Sequence, residues 1–378
     1  MGPETMSTAA QDPLRPATEA SDASDASAAT VDATVGITAP PLSPNQRAWL
    51  RFKRNRLGYV SLWIFGLMLL LGTFAEFLSN DKPLVARING QWHAPVFSNP
   101  TEKALGGDFD TATDWKDPLI TELLARPGNL ALFTPNPHSA DSLDYFDPAL
   151  PPADPNRRNW LGTDAKGRDV LARLLYGFRV SVWFALALTA VGMAIGIAAG
   201  ALQGYFGGKV DLFVQRLIEI WGALPELYLL IIFASIFEPS LLLLLILLSM
   251  FGWIGLSDYV RAEFLRNRSL EFVKAARALG LGNGQIIWRH VLPNSLTPVI
   301  TFLPFRMATA ILALTSLDFL GLGVPSTVPS LGELLKIGKE NLDAWWIIFS
   351  TFSVLVVTML LLTFIGDALR DAFDTRKS

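Results

Sequence analysis

The side chains able to do chemistry in this chain are few, and most are placed to hold charge rather than to make or break bonds. There is no cysteine, which excludes disulfides and thiolate metal ligands. The three histidines, His93, His138 and His290, are dispersed and have no metal-ligand spacing. No G-x-x-x-x-G-K-[ST] loop is present. Gly208-Lys209 and Gly338-Lys339 both lack the first glycine and the following Ser or Thr, so the chain does not bind ATP by that route. What stands out instead is charge inside apolar runs: Glu219, Arg306 and Asp318. A charge in hydrocarbon is expensive and should face a bundle interior or a water-filled path. Counted along their runs at 1.5 Å per residue, Glu219 and Arg306 both lie roughly 10–15 Å deep. They are near enough to pair; alternatively, each meets backbone carbonyls or water by itself. Asp318 lies near the far end of its run, where it either caps a helix break at Gly321 or lines a gate.

The apolar runs that must position these charges are membrane spans. The chain is 51% hydrophobic and 17% charged with a mean hydropathy of +0.36, too apolar for a soluble domain of this length. A net charge of −3 gives no reason to expect nucleic acid as a partner. Six runs are long enough to cross a bilayer, over 59–77, 180–202, 212–237, 240–257, 295–322 and 345–365. Arg47, Arg51, Lys53, Arg54 and Arg56 precede the first run and place the N-terminus in the cytoplasm. The alternative for that run is a late signal cleaved near Ala75. Six crossings return the C-terminus to the same side, where Arg370, Arg376 and Lys377 lie. Gly192, Gly196 and Gly200 form a small-residue ridge on the second span against which another helix can pack.

The expected organisation follows from these runs. Residues 1–45, rich in Ala, Ser, Thr, Asp and Pro, form a disordered cytoplasmic tail. Residues 46–78 hold the basic flank and first span. Residues 79–176 form an outer insertion, full of turn signals such as Asn89-Gly90 and Gly106-Gly107, and end in an interfacial helix. That helix is capped by Asp169, with Leu171, Leu174, Leu175 and Phe178 as its apolar stripe and Arg168, Arg173 and Arg179 outside it. The insertion is too long for a plain connection, and reads as a docking or substrate-contacting cap, or as a lid packing on its own helices. Residues 177–367 carry the remaining five spans and 368–378 a cytoplasmic tail.

One polar stretch interrupts the core. Residues 258–294 carry Arg261, Arg266, Arg268, Lys274, Arg277 and Arg289 and so face the cytoplasm. Within them Ser269 can cap a helix with Glu271 in its first turn. Phe272, Ala275, Ala276 and Leu279 recur at helical spacing as one apolar stripe, with Lys274 and Arg277 on the other face, and Gly280 is a natural stop. A second short helix runs from near Asn283 to Pro293. The two alanines keep the stripe low, so that another protein's surface can approach the backbone. An ordinary surface loop would read the same way.

Three strings then point to a family. Ala275-Ala276, Gly280 and Leu292-Pro293 resemble the cytoplasmic EAA loop of bacterial ABC importer permeases, with Lys274 where that motif has Glu and Glu271 one turn earlier as a substitute. Residues 160–181, WLGTDAKGRDVLARLLYGFRVS, resemble the signature of the second permease subunit of dipeptide and oligopeptide importers, through Gly162, Thr163, Asp164, Gly167, Arg168 and Asp169. LDFLGLGVPSTVPSLGELL at 317–335 resembles a third segment of that family, with Ser330 and Glu333 forming a capping box. The long outer segment and the NDKPL string at 80–84 are most similar to the microcin C and oligopeptide branch.

The resemblance implies an all-α integral membrane protein with the type I ABC importer permease fold. It implies a multi-pass protein of the bacterial inner membrane, working with a second homologous permease, two ATPase subunits and a periplasmic peptide-binding protein, with peptide as cargo. ATP and Mg would be bound by the ATPase partners, and this chain would hold no cofactor and catalyse no reaction. Residues 271–280 would couple to the ATPases. A membrane sensor or scaffold with an outer ligand-binding segment is the rival reading, and a sensor needs no seat for an ATPase. An ion-coupled carrier would show paired inverted repeats, which are not seen.

Overall fold

The structure, a computed structural model, describes residues 43–143 and 150–374. Helices α1 (Pro44–Arg54) and α2 (Arg56–Thr73) lead into the insertion, which holds strands β1 (Val85–Ile88) and β2 (Gln91–His93), helix α3 (Pro118–Ala125) and strand β3 (Leu130–Leu132). Then come α4 (Val170–Phe206), α5 (Gly208–Gly222), α6 (Glu226–Ile236), α7 (Leu241–Ser249) and α8 (Ile254–Asn267). Three short helices follow, α9 (Glu271–Ala278), α10 (Asn283–Ile286) and α11 (Leu292–Ile300), with a π-helical turn over Ile287–Val291 between the last two. Helices α12 (Leu303–Leu320), α13 (Leu331–Glu340) and α14 (Trp345–Phe373) complete the fold. The disorder expected for residues 1–45 falls on residues outside this description, except that α1 already begins at Pro44.

Helices α2, α4, α12 and α14 are each long and apolar enough to cross a membrane. The pairs α5–α6 and α7–α8 qualify only together, bent by 64° and 41°, which gives up to six spans, as the apolar runs predict. The first bend falls at Ala223–Pro225, where proline lacks the N–H that would continue α5. The fifth span is shorter than its apolar run: α12 starts at Leu303, and the residues before it form α11, with Pro293 in its first turn rather than at the end of a helix.

Helix α4 is the backbone of the bundle. The separate interfacial helix expected before residue 177 does not exist. Asp169 does cap, accepting from the Ala172 amide at 2.7 Å, but the helix it starts runs unbroken for 37 residues. At 1.5 Å per residue that is about 55 Å, well beyond a hydrocarbon core of ~30 Å, so α4 protrudes at one or both ends. Gly192, Gly196 and Gly200 are buried along its length against α8 and the break before it. A Cβ on Gly200 would stand 2.5 Å from the Ser257 carbonyl oxygen and 2.7 Å from the Val260 Cβ, neither of which can swing aside. Gly200→Ala should therefore force the helices apart and destabilise the fold by about 1–3 kcal/mol, the usual scale for overpacking. Thermal unfolding in detergent measures it, with an exposed Gly255→Ala, whose Cβ would meet nothing, as the control.

The basic flank, expected only as charge, is a helix. Phe52 of α1 is buried against Ala368 and Ala372 of α14, and Arg51 donates to the Asp374 carbonyl at 3.2 Å, which ties the two ends of the described chain together. The insertion also has more order than its turn signals indicated. Its antiparallel sheet has the order β2-β1-β3, with Ala86 opposite His93 on one side and Ala131 on the other. Asn89 and Gly90, both at positive φ, close the β1–β2 hairpin as a two-residue loop. Ala86, Ile88, Leu105, Trp115 and Ile120 form a small core of its own.

Candidate functional site

The polar stretch forms a compact unit at the end of α4 away from the insertion. Helix α9 does not use the cap assigned to it: Ser269 donates to the Arg266 carbonyl at 2.8 Å, and Leu270, with no side-chain bond, occupies the N-cap. Its other end is as expected. Gly280 takes φ +79°, its amide donates to the Arg277 carbonyl at 2.9 Å, and the Leu281 amide donates to the Ala276 carbonyl at 3.2 Å. These are the two bonds of a Schellman stop.

The predicted apolar stripe divides in two. Ala276 joins Val273, a residue outside that stripe, on the inward face, packed with Ala201 and Tyr205 of α4, Val260 and Phe264 of α8, and Ile286 and Val291. Phe272, Ala275 and Leu279 point outward, with Leu279 80% exposed. The angular reason is simple: at 100° per residue Ala276 lies between Phe272 and Val273, and the interior claims whichever edge carries a second apolar residue. Glu271 and Lys274 pair at 2.9 Å on the surface, so the lysine at the motif's Glu position is held by the acid one turn earlier.

Tyr205, unmarked by any motif, fastens this unit to α4. Its hydroxyl donates to Asn283 Oδ1 at 2.8 Å, the Arg277 guanidinium lies 5.3 Å over its ring, and Arg268 donates to its carbonyl at 3.2 Å. Arg261 reaches Asp211 with two bonds of 2.5 and 2.7 Å. A displacement of α9 therefore bears directly on the ends of α4, α5 and α8.

At the other end of α4 the six signature residues form a buried staple. Gly162 takes φ +71° and a Cβ there would strike the Ala153 carbonyl and the Trp346 indole; Gly167 takes φ +83°. Thr163 accepts from the Ala153 amide at 2.8 Å. Asp164 holds Arg168 at 2.7 Å, and Arg168 continues to Glu333 of α13 at 3.3 Å. Asp169 accepts from Asn136 and Asn159, both at 2.9 Å, as well as capping α4. Arg173, expected on the polar face, is fully buried and pairs with Glu333 and with Asp141. Insertion, α4 and α13 are thus joined by one ionic network.

The three intramembrane charges do not converge. Glu219 pairs with Arg216 at 2.5 Å on an exposed face of α5, and Arg306 donates to the Gly252 carbonyl instead. The expected Glu219–Arg306 pair is therefore not formed. Depth along two helices says nothing about facing, and each side chain takes a different partner. Arg306 shares a cavity of about 300 Å³ with Glu226 rather than Glu219. Asp318 caps the break: its carboxylate accepts from the Val324 amide at 2.9 Å and from the Ser330 hydroxyl, which itself caps α13 through the Gly332 and Glu333 amides. Among the described residues no group of three or more His, Asp or Glu is gathered as metal ligands.

These features define a polytopic helical membrane protein with a rigid surface helix clamped to the ends of its spans. Residues 180–378 match the family described as binding-protein-dependent transport system inner membrane component, and the chain belongs to that family of ABC transporter permeases. Residues 43–95 match the N-terminal TM domain of oligopeptide transport permease C. The chain is 47% identical to the inner membrane ABC transporter permease protein YejE of Escherichia coli strain K12, over 89% of this chain and 99% of the relative. It is 45% identical to the peptidoglycan transport system permease protein YejE of Agrobacterium fabrum strain C58, over 90% and 95%. Among solved structures, the inward-facing MetNI methionine ABC transporter is similar at a TM-score of 0.45 and 17% identity, over 54% of this chain and 97% of that one. The helical, multi-span inner-membrane architecture expected from the sequence is that of this family of transport components, and the all-α expectation is corrected only by the small sheet in the insertion.

Proposed function

We propose that this chain is one permease subunit of an ABC importer that moves oligopeptides, or peptide-like compounds such as microcin C, across the inner membrane. A second homologous permease completes the path, two ATPase subunits bind ATP and Mg and supply the stroke, and a periplasmic binding protein delivers the peptide. Both termini lie in the cytoplasm. The observation that carries this reading is α9, a short helix with an outward apolar face at Phe272, Ala275 and Leu279 and a seat fixed to α4 through Tyr205. Similarity to relatives named for dipeptide and oligopeptide transport supports peptide as the cargo. In the mechanism, closure of the ATPase dimer pushes α9, α4 and α8 move with it, and the path opens to the periplasm. Peptide enters from the binding protein, and hydrolysis resets the bundle.

The test is uptake by reconstituted vesicles. Labelled oligopeptide should accumulate only when ATP, both permeases, the ATPases and the binding protein are all present, and Ala275→Cys should react with an impermeant thiol reagent only from the ATPase side. Labelling of that cysteine from the binding-protein side would defeat the proposal, as would uptake that proceeds without this chain.

A further inference from the structure

Most hollows between these helices are lined by aliphatic and aromatic side chains, as suits lipid or a neighbouring helix. One is different. Where α12 passes α4 and the break between α7 and α8, a cavity of about 300 Å³ is lined by Thr189, Glu226, Phe251, Gly252, Arg306 and Thr309, among others. Its polar groups are poorly satisfied by the protein. Arg306 Nη2 donates to the Gly252 carbonyl, but Nε is buried without a partner. Thr189 is 4% exposed, and its Oγ1 is also buried without a partner. Arg306 and Glu226 carry opposite charges into one space, and neither has an ion-pair partner among the described residues. The space for the guanidinium depends on a glycine: a Cβ on Gly192 would come within 3.0 Å of Arg306 Nη2.

We propose that this cavity is a binding site for a short zwitterionic peptide, Arg306 taking the carboxylate and Glu226 the ammonium group. It rests on the reading of this chain as a peptide importer subunit. The chemistry is specific to that ligand class. The free edge of a guanidinium matches a carboxylate in two parallel hydrogen bonds, and Arg306 is half-buried, which strengthens such a pair over one in open water. The Thr189 hydroxyl supplies a further polar contact at the wall. A ligand with one charge meets a like charge as well as an opposite one in this space, which works against its binding. A zwitterion compensates both. The cavity is at the small end of ligand pockets, so both termini fit together only when the peptide is short. Its floor is the Gly252 carbonyl at the break in the fourth span, so occupancy would be felt where α8 begins, on the helix that also packs against α9.

The test is equilibrium binding of labelled alanyl-alanine, its C-terminal amide and its N-acetyl form to the assembly of this chain with its partner permease and ATPases, without the binding protein. The unmodified assembly should bind alanyl-alanine saturably, and either blocked form at least tenfold more weakly. Arg306→Gln should weaken alanyl-alanine about tenfold and abolish its preference over the amide, while Glu226→Gln should do the same for the N-acetyl form. Arg306→Lys, which keeps the charge, should retain part of the preference. If Arg306→Gln fails to assemble, the blocked peptides on the unmodified assembly decide the matter. Equal binding of free and blocked peptides overturns the site. Alanyl-alanine import by an assembly that shows no saturable binding also overturns the site and leaves peptide import standing. An assembly that imports no peptide at all removes the import reading, and this site with it.

Discussion

Replacing Glu333 with Gln should destabilise the protein by about 3–5 kcal/mol, the scale for breaking a buried ion pair on one side. Arg173 is fully buried and Arg168 nearly so, and this one carboxylate pairs with both. Without it Arg173 keeps the Ala140 carbonyl at 3.0 Å and Asp141 at 3.3 Å, but Asp141 is itself 64% exposed and a weak anchor. Arg168 keeps Asp164 and loses its link to α13. The expected observation is a fall in the detergent Tm on the order of 5–10 °C, with protease sensitivity appearing first in the insertion and α13. A joint Arg173→Met, Glu333→Leu replacement should recover much of the loss, because an apolar pair carries no desolvation penalty. Glu219→Gln provides the contrast. Its pair with Arg216 is more than half exposed, so the loss there should be under about 1 kcal/mol. A Glu333→Gln protein that melts with the parent would show that the network does not hold α13 in place.

That network also marks the boundary of what can be read from the chain alone. The local devices were legible: the Asp169 cap, the Ser330 cap, the Gly280 stop and the Gly192–Gly196–Gly200 ridge each depend on residues within a turn or two, and a small residue repeating every four has few uses in a membrane helix. The other half of the Ser330–Glu333 capping box does not form, because the Glu333 carboxylate turns to Arg168 and Arg173. Asp318 was narrowed to two roles, and its bond to the Val324 amide selects the cap. What escaped depends on distant partners. Arg173 reads as a polar-face residue because its carboxylate lies 160 positions away. The Glu219–Arg306 pairing failed because depth was inferred along straight helices, whereas the third span bends by 64° and each side chain finds another partner. Tyr205 was invisible because an aromatic residue at the end of an apolar run looks like ordinary interfacial filling until its hydroxyl is seen on Asn283.

Helix α9, in the coupling role proposed for it, gives the other large effect. Asp at both Phe272 and Leu279 should leave the fold intact, because these side chains are 39% and 80% exposed and surface changes seldom exceed about 0.5 kcal/mol. Binding of the ATPases should nevertheless weaken by roughly thirtyfold or more, since losing an anchor residue at an interface costs about 2 kcal/mol or above, and a carboxylate facing an apolar groove adds its own desolvation. Peptide uptake should fall to background with an unchanged Tm. Ala276→Leu should reach the same loss of uptake by another route. Ala276 lies against Tyr205, Val260 and Phe264, so extra methylenes there push α9 off its seat and lower stability by about 1–3 kcal/mol. The two variants separate contact from support: one loses the partner while the seat holds, and the other loses the seat. ATPase subunits that co-purify at full stoichiometry with the Phe272→Asp, Leu279→Asp protein, together with normal uptake, would mean that force enters this bundle somewhere other than α9.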